Sequence, residues 1–171
     1  MSGLENGIVL CPADINDIPQ ILEIVNDIII HTTTNYLYEP MNLGEMQTWF
    51  RDMQKASLPV IVLKQDKKVL AYASYSQFRK KIGYRFCMEH SVYVHKNHQG
   101  KGYGKMLMLE LIKIARQNKV HTLVAGVDTG NPGSIEFHKK MGFTEVGYMR
   151  EVGYKFDRWL DLVFLQKTLT K

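Results

Sequence analysis

Cysteine is scarce in this chain. Cys11 and Cys87 are the only two, too few for a disulfide framework and without metal-knuckle spacing, so a reducing, cytoplasmic setting is expected. Long apolar runs are missing too. The longest, such as Ile28-Ile29-Ile30, fall far short of the ~20 residues that span a bilayer, so no membrane partner is expected. The first residues, Met1-Ser2-Gly3-Leu4-Glu5-Asn6, lack the positive-then-apolar order of a secretory leader. No repeat, low-complexity tract or Pro/Gly/Ser-rich linker divides the sequence. The histidines, among them His90, His95 and His98, show no ligand spacing with a carboxylate or cysteine, so no metal is expected.

What remains has the make-up of an ordinary soluble domain. The chain has 171 residues, 45% hydrophobic and 23% charged, and roughly 100–200 residues make one domain. A single domain with its core from about residue 8 to residue 169 is expected. The net charge is +5, and its excess is local. Between His95 and His121 stand Lys96, Lys101, Lys105, Lys113, Arg116 and Lys119 against Glu110 alone. Such a stretch suits an anionic partner or a solvated helix face. Single-stranded nucleic acid would ask for aromatic platforms between the charges, and only Tyr103 is aromatic there, so no nucleic-acid partner is expected.

Periodicity gives the order β-α-α-β-β-β-α-β-α-β-β. Ile8-Val9-Leu10-Cys11 reads as a strand. A helix capped by Asp17 carries Ile18, Ile21, Leu22, Val25 and Ile29 on one face. Thr32-Thr33-Thr34-Asn35-Tyr36 reads as a polar loop, and Asn42 with Glu45 as the capping pair of a second helix. Val60-Ile61-Val62-Leu63 and the run from Val69 to Phe78 form a hairpin, and Tyr84 to Val94 a further extended run. A helix over Lys105 to Gln117, a strand from Thr122, a helix from Gly133 and strands from Thr144 and Leu160 complete the chain. The class is α/β or α+β, a mixed sheet with helices packed on it.

The informative segment is Val92-Tyr93-Val94-His95-Lys96-Asn97-His98-Gln99-Gly100-Lys101-Gly102-Tyr103-Gly104-Lys105. A β-branched strand runs into three alternating glycines and then into an amphipathic helix. Glycine lets backbone approach a ligand closely, and a helix start offers unpaired N–H groups with a partial positive charge. Lys101 and Lys105 add full charges, so the corner suits phosphates. It is not a Walker loop, which ends in Gly-Lys-Ser/Thr. It is not a dinucleotide fingerprint either, since Lys105 stands where the third glycine belongs.

Gln99-Gly100-Lys101-Gly102-Tyr103-Gly104 resembles the Gln/Arg-x-x-Gly-x-Gly/Ala pyrophosphate loop of the GCN5-related N-acetyltransferases. Ser91-Val92-Tyr93-Val94 resembles their cofactor-binding strand, and the segment from Asn131 through Ser134 to Gly142-Phe143 is similar to their Asn-x-x-Ser helix. Glu89-His90-Ser91-Val92-Tyr93-Val94-His95, Thr33-Thr34 and Gly153-Tyr154-Lys155-Phe156-Asp157-Arg158-Trp159-Leu160-Asp161 resemble the phosphinothricin and methionine sulfoximine acetyltransferase branch.

That resemblance implies the family's mixed, mostly antiparallel sheet flanked by helices. It also implies acetyl transfer from acetyl-CoA to the α-amino group of a small amino-acid-like acceptor, and a homodimer. Val92, Tyr93 and Val94 would hold the pantetheine arm, the amides of residues 99–105 the pyrophosphate, and Asn131 and Ser134 the reactive end. Glu89 matches the branch's glutamate and would take a proton from the acceptor ammonium. His138 stands where most of the wider family carries a tyrosine, and an imidazole serves as acid or base near neutral pH; a packed helix histidine next to Phe137 explains it as well. Arg79 and Arg85 suit an acceptor's carboxylate, because a guanidinium pairs with it bidentately; a solvated turn explains the Arg79-Lys80-Lys81 run as well. Tyr36 and Tyr84 would line the same pocket, with Lys155 arriving from a second subunit; a core or edge position explains Lys155 and Trp159 as well. Two other readings stay open: an acetyltransferase for another amine, such as a polyamine or protein N-terminus, and a non-catalytic acyl-CoA-binding domain.

Overall fold

Four helices alternate with eight strands in the computed structural model, which describes residues 3–4 and 7–169. The leader reading above falls partly on Met1, Ser2, Glu5 and Asn6, which lie outside the described residues. The strands are β1 (Gly3–Leu4), β2 (Ile8–Pro12), β3 (Val60–Gln65), β4 (Lys68–Gln77), β5 (Cys87–Val94), β6 (Thr122–Asp128), β7 (Thr144–Lys155) and β8 (Arg158–Thr168). The helices are α1 (Ile18–His31), α2 (Leu43–Lys55), α3 (Tyr103–Gln117) and α4 (Pro132–Lys140). The chain divides into two compact units, one of residues Met1–Asn26, Met41–Ser76 and Ser91–Ile114, the other of Asp27–Pro40, Gln77–His90 and Ala115–Lys171.

In the first unit β1, β2, β3 and β4 pair in sequence order, each antiparallel to the next. The β3–β4 turn places Asp66 and Lys67 at φ 48 and 67, the left-handed pair a two-residue hairpin requires. Ile18, Ile21, Met46, Phe50, Leu63, Leu70, Leu107 and Leu111 are buried in its core, each such side chain contributing about 1.5–3 kcal/mol. The start of α1 departs from the sequence reading. Asp14 caps a 3-10 turn, Ile15–Asp17, and Asp17 is the reciprocal partner of that capping box. Asp17 is then buried against Lys64, 2.6 Å away. The Asn42–Glu45 box of α2 forms as expected.

In the second unit β5 runs parallel to β6 from Cys87 to Glu89, and β8 pairs antiparallel with both β6 and β7. Leu123, Phe143, Leu160, Val163 and Leu165 form its core. The extended run expected from Tyr84 begins only at Cys87, because Ile82–Tyr84 is a 3-10 turn. No helix among the described residues is long and apolar enough to cross a membrane, and Cys11 and Cys87 are free thiols.

Candidate active site

Strand alternation puts residues i and i+2 on one face, and in the second unit this gathers a pocket. Register sets Gly126 opposite Phe164, Asp128 opposite Leu162 and Leu162 opposite Met149. All five line a pocket of about 350 Å³, with Glu89 from β5, Thr34 and Tyr36 from the turn after α1, Phe78 and Arg79 from the segment that follows β4, and Val152 from β7. Its lining is polar or ionic at Thr34, Tyr36, Arg79, Glu89 and Asp128 and apolar at Phe78, Met149, Val152, Leu162 and Phe164.

Glu89 is half-buried, and burial pushes its carboxyl up while the nearby Arg79 guanidinium draws it part of the way back. Its place depends on Gly126. A Cβ there would stand 3.3 Å from Glu89 Oε1 and 3.5 Å from Phe164 Cε1, so any side chain would press on the carboxylate. Asp128 is buried. It accepts from the Thr33 hydroxyl at Oδ2, and from the Gly130 N–H at Oδ1 over 3.1 Å. The Tyr36 hydroxyl is buried with no hydrogen-bond partner among the described residues. Burial, then the charges of Asp128 and Asp161, push its pKa up, so it stays a neutral donor, and an unmet buried donor costs about 1–3 kcal/mol until something accepts from it.

A bulge shapes the apolar wall. The β7–β8 register passes from Met149 opposite Leu162 to Gly153 opposite Leu160, leaving Arg150, Glu151 and Val152 against Asp161 alone. Glu151 lies at φ 49, a costly conformation for a non-glycine residue. Asp161 holds it there, accepting the Glu151 N–H at 2.8 Å through Oδ1 and the Tyr148 hydroxyl through Oδ2. Met149, just before the bulge, and Val152, its last residue, both reach the pocket.

Glu89 and His90 are strand neighbours and point to opposite faces. His90 is buried with its ring stacked on Phe143 (5.3 Å, 14°) and set edge-on to His138 (5.1 Å, 77°). Its Nδ1 meets the Val124 carbonyl at 3.0 Å, and the His138 Nδ1 meets the Ser134 carbonyl at 2.7 Å. Carbonyls only accept, so in both rings Nδ1 carries the proton and a neutral ring leaves Nε2 as a lone pair. Burial and the His138 ring hold the His90 pKa down at about 3, and burial also lowers that of His138. His138 therefore does not join Glu89 in the pocket.

In the first unit the glycine corner has the predicted form. Gly100 and Gly102 lie at φ 76 and 81, and a Cβ at either would meet nothing within 4 Å. The turn is thus open-sided, and α3 starts at Tyr103, so the first amides of that helix have no intrahelical acceptor. In the second unit Asn131 caps α4, its Oδ1 accepting from the Ser134 N–H at 3.0 Å.

The other acceptor candidates fall differently. Tyr36 and Arg79 line the pocket with Glu89. Tyr84 is exposed and does not line the pocket, and its ring stands edge-on to that of Phe78 at 6.0 Å. Arg85 lies over the Phe86 ring at 4.5 Å and does not line the pocket. Lys155 is fully buried within its own chain, where its Nζ donates to three backbone carbonyls, so it is not offered to a neighbouring subunit's acceptor. Sequence reasoning quoted Thr34 in a motif without a site role and missed Gly126, Asp128, Met149, Val152, Leu162 and Phe164. A single carboxylate closing the otherwise apolar strand Thr122–Asp128 was the available signal for Asp128.

These features meet a known class. The profile of the acetyltransferase (GNAT) family matches residues 22–143, and the chain belongs to that family and is an N-acetyltransferase. It is 41% identical over 158 residues to the L-methionine sulfoximine/L-methionine sulfone acetyltransferase of Pseudomonas aeruginosa, with 92% of each chain covered. The fold matches the crystal structure of an N-acetyltransferase from Staphylococcus aureus Mu50 at TM-score 0.94 and 39% identity, covering 95% of this chain and 99% of that one. A GNAT superfamily phosphinothricin acetyltransferase from Sinorhizobium meliloti, solved in complex with acetyl-CoA, matches at TM-score 0.91 and 31% identity over 95% and 89% of the two chains.

Proposed function

We propose that this enzyme moves the acetyl group of acetyl-CoA to the α-amino group of a small amino-acid acceptor such as methionine sulfoximine, methionine sulfone or phosphinothricin. The observation that carries the reading is Glu89, a carboxylate with a raised pKa, in one pocket with the Arg79 guanidinium and an apolar wall of Phe78, Met149, Val152, Leu162 and Phe164. An amino acid has the matching parts: a carboxylate for Arg79, an ammonium for Glu89 and a short side chain for the wall. The Pseudomonas aeruginosa and Sinorhizobium meliloti relatives carry such acceptors in their names.

The glycine corner fits the donor, since its open-sided turn and free helix amides suit a diphosphate. Gln99, Gly100, Lys101, Gly102, Tyr103, Gly104 and Lys105 would hold that group, with Val92, Tyr93 and Val94 along the pantetheine arm and Asn131 and Ser134 toward its end. Bound acetyl-CoA supplies an activated thioester. The protein's part is to hold the amine still and unprotonated. Glu89 takes the ammonium proton directly or through water, which is worth about 10²–10⁴-fold. Arg79 fixes the acceptor's carboxylate, and the Tyr36 hydroxyl gains its missing acceptor. His138, kept neutral by burial, presents a lone pair, so its share in proton transfer is secondary.

The same reading places the enzyme in the cytoplasm with reduced thiols, bound to no nucleic acid, and as a homodimer through the exposed side chains of Tyr148, Tyr154, Phe156 and Trp159. The test is a thiol-release assay with Glu89→Gln beside the parent enzyme. A hundredfold or greater fall in kcat is expected. In the parent kcat/KM should fall as pH drops through the raised pKa of Glu89, because the base acts only when ionised, and the Gln variant should lack that limb. Equal turnover in the two proteins would remove Glu89 from the mechanism.

A further inference from the structure

Lys155 sits where a lysine is costly. Only 2% of it reaches solvent, and among the described residues no carboxylate pairs with it. Its Nζ donates to the carbonyls of Ile29 at 2.6 Å, Thr32 at 2.9 Å and Asn35 at 2.6 Å. Ile29 belongs to the last turn of α1, and Thr32 and Asn35 follow it. A helix end needs only a glycine or asparagine to close it, whereas a buried ammonium is tolerated only when its donors are met. One cation here gathers three points of a single turn.

That turn is the one that supplies Thr34 and Tyr36 to the pocket. Thr33, between the clamped Thr32 and Thr34, donates its hydroxyl proton to Asp128. Gly153, two residues before Lys155 on the same face of β7, completes the fit: a Cβ there would lie 2.4 Å from Cε2 of the Tyr36 ring. Strand β7 therefore shapes the turn twice, by a space at Gly153 and by an ammonium at Lys155.

We infer that Lys155 is a positioning residue for the acceptor, holding the turn of residues 32–36 as a preformed wall so that Thr34 and Tyr36 meet the substrate without first being ordered. Preorganisation of this kind strengthens binding by removing the ordering cost, so its loss should appear in acceptor KM. The inference rests on the proposed function for the identity of the acceptor, but not for the clamp itself.

The test compares Lys155→Met and Gly153→Ala with the parent, reading steady-state kinetics and hydrogen exchange of amides 33–36. The expected result in each folded variant is a tenfold or greater rise in acceptor KM, an acetyl-CoA KM within twofold of the parent, kcat within threefold, and at least tenfold faster exchange in the turn. Unchanged acceptor KM and exchange in Lys155→Met would overturn the inference. If that variant does not fold, Lys155→Gln, which keeps donors for part of the clamp, decides by the same readouts, and Gly153→Ala reports only on the space left for Tyr36. If the parent acetylates no amine, the proposed function falls, and the exchange rates in Lys155→Met alone decide whether the clamp exists.

Discussion

Two adjacent residues of β5 divide the work of the second unit by strand parity alone. Glu89 faces the pocket, where partial burial raises its pKa and Arg79 limits the rise. His90 faces the other way and is buried as a neutral ring with an unpaired Nε2. That burial has a consequence for stability. The folded pKa of His90, about 3, lies below the ordinary 6.5, so between those values the unfolded chain takes up a proton that the folded chain refuses. Stability is unaffected by this group above pH 6.5 and declines below it, by about 2 kcal/mol at pH 5. His138 acts in the same direction. Denaturant titrations from pH 7.5 to 5 should show this decline, and His90→Asn, which retains a donor for the Val124 carbonyl, should make it shallower. An identical slope in the variant would contradict the assignment.

At the level of elements, what was legible depended on the range of the interaction. The Asn42–Glu45 capping box was readable because both partners lie within one turn. Asp17 was misread as a cap because Asp14 starts an additional 3-10 turn and the partner of Asp17, Lys64, is far along the chain. Arg79 and Arg85 offer the same chemistry, and only the Ile82–Tyr84 turn between them decides that Arg79 reaches the pocket. Resemblance alone had Lys155 arriving from a second subunit, with a core position as the alternative, and the choice turned on contacts far along the chain: its partners are the carbonyls of Ile29, Thr32 and Asn35. The glycine corner was legible because its signal, positive φ without side chains, is local. Gly102 at φ 81 yields a prediction. Gly102→Val forces a β-branched residue into that conformation at about 1–3 kcal/mol and covers the open turn. Coenzyme A affinity by calorimetry should fall at least tenfold while far-UV circular dichroism stays native; unchanged affinity would remove this loop from the donor site.

For the molecule as a whole, the strand order, the family profile and the solved relatives agree on the N-acetyltransferase class. The acceptor reading rests on the pocket, whose charges of both signs beside an apolar wall suit a zwitterion. They suit a polyamine poorly, since Arg79 would repel it. The most direct measurement is mass spectrometry of the product formed from acetyl-CoA and a panel of amino acids, methionine sulfoximine, methionine sulfone, phosphinothricin and a polyamine. The account predicts an α-N-acetylated amino acid or analogue, with one free thiol released per product and no acetylated polyamine. A protein that binds coenzyme A yet acetylates only the polyamine, or nothing in the panel, would contradict it.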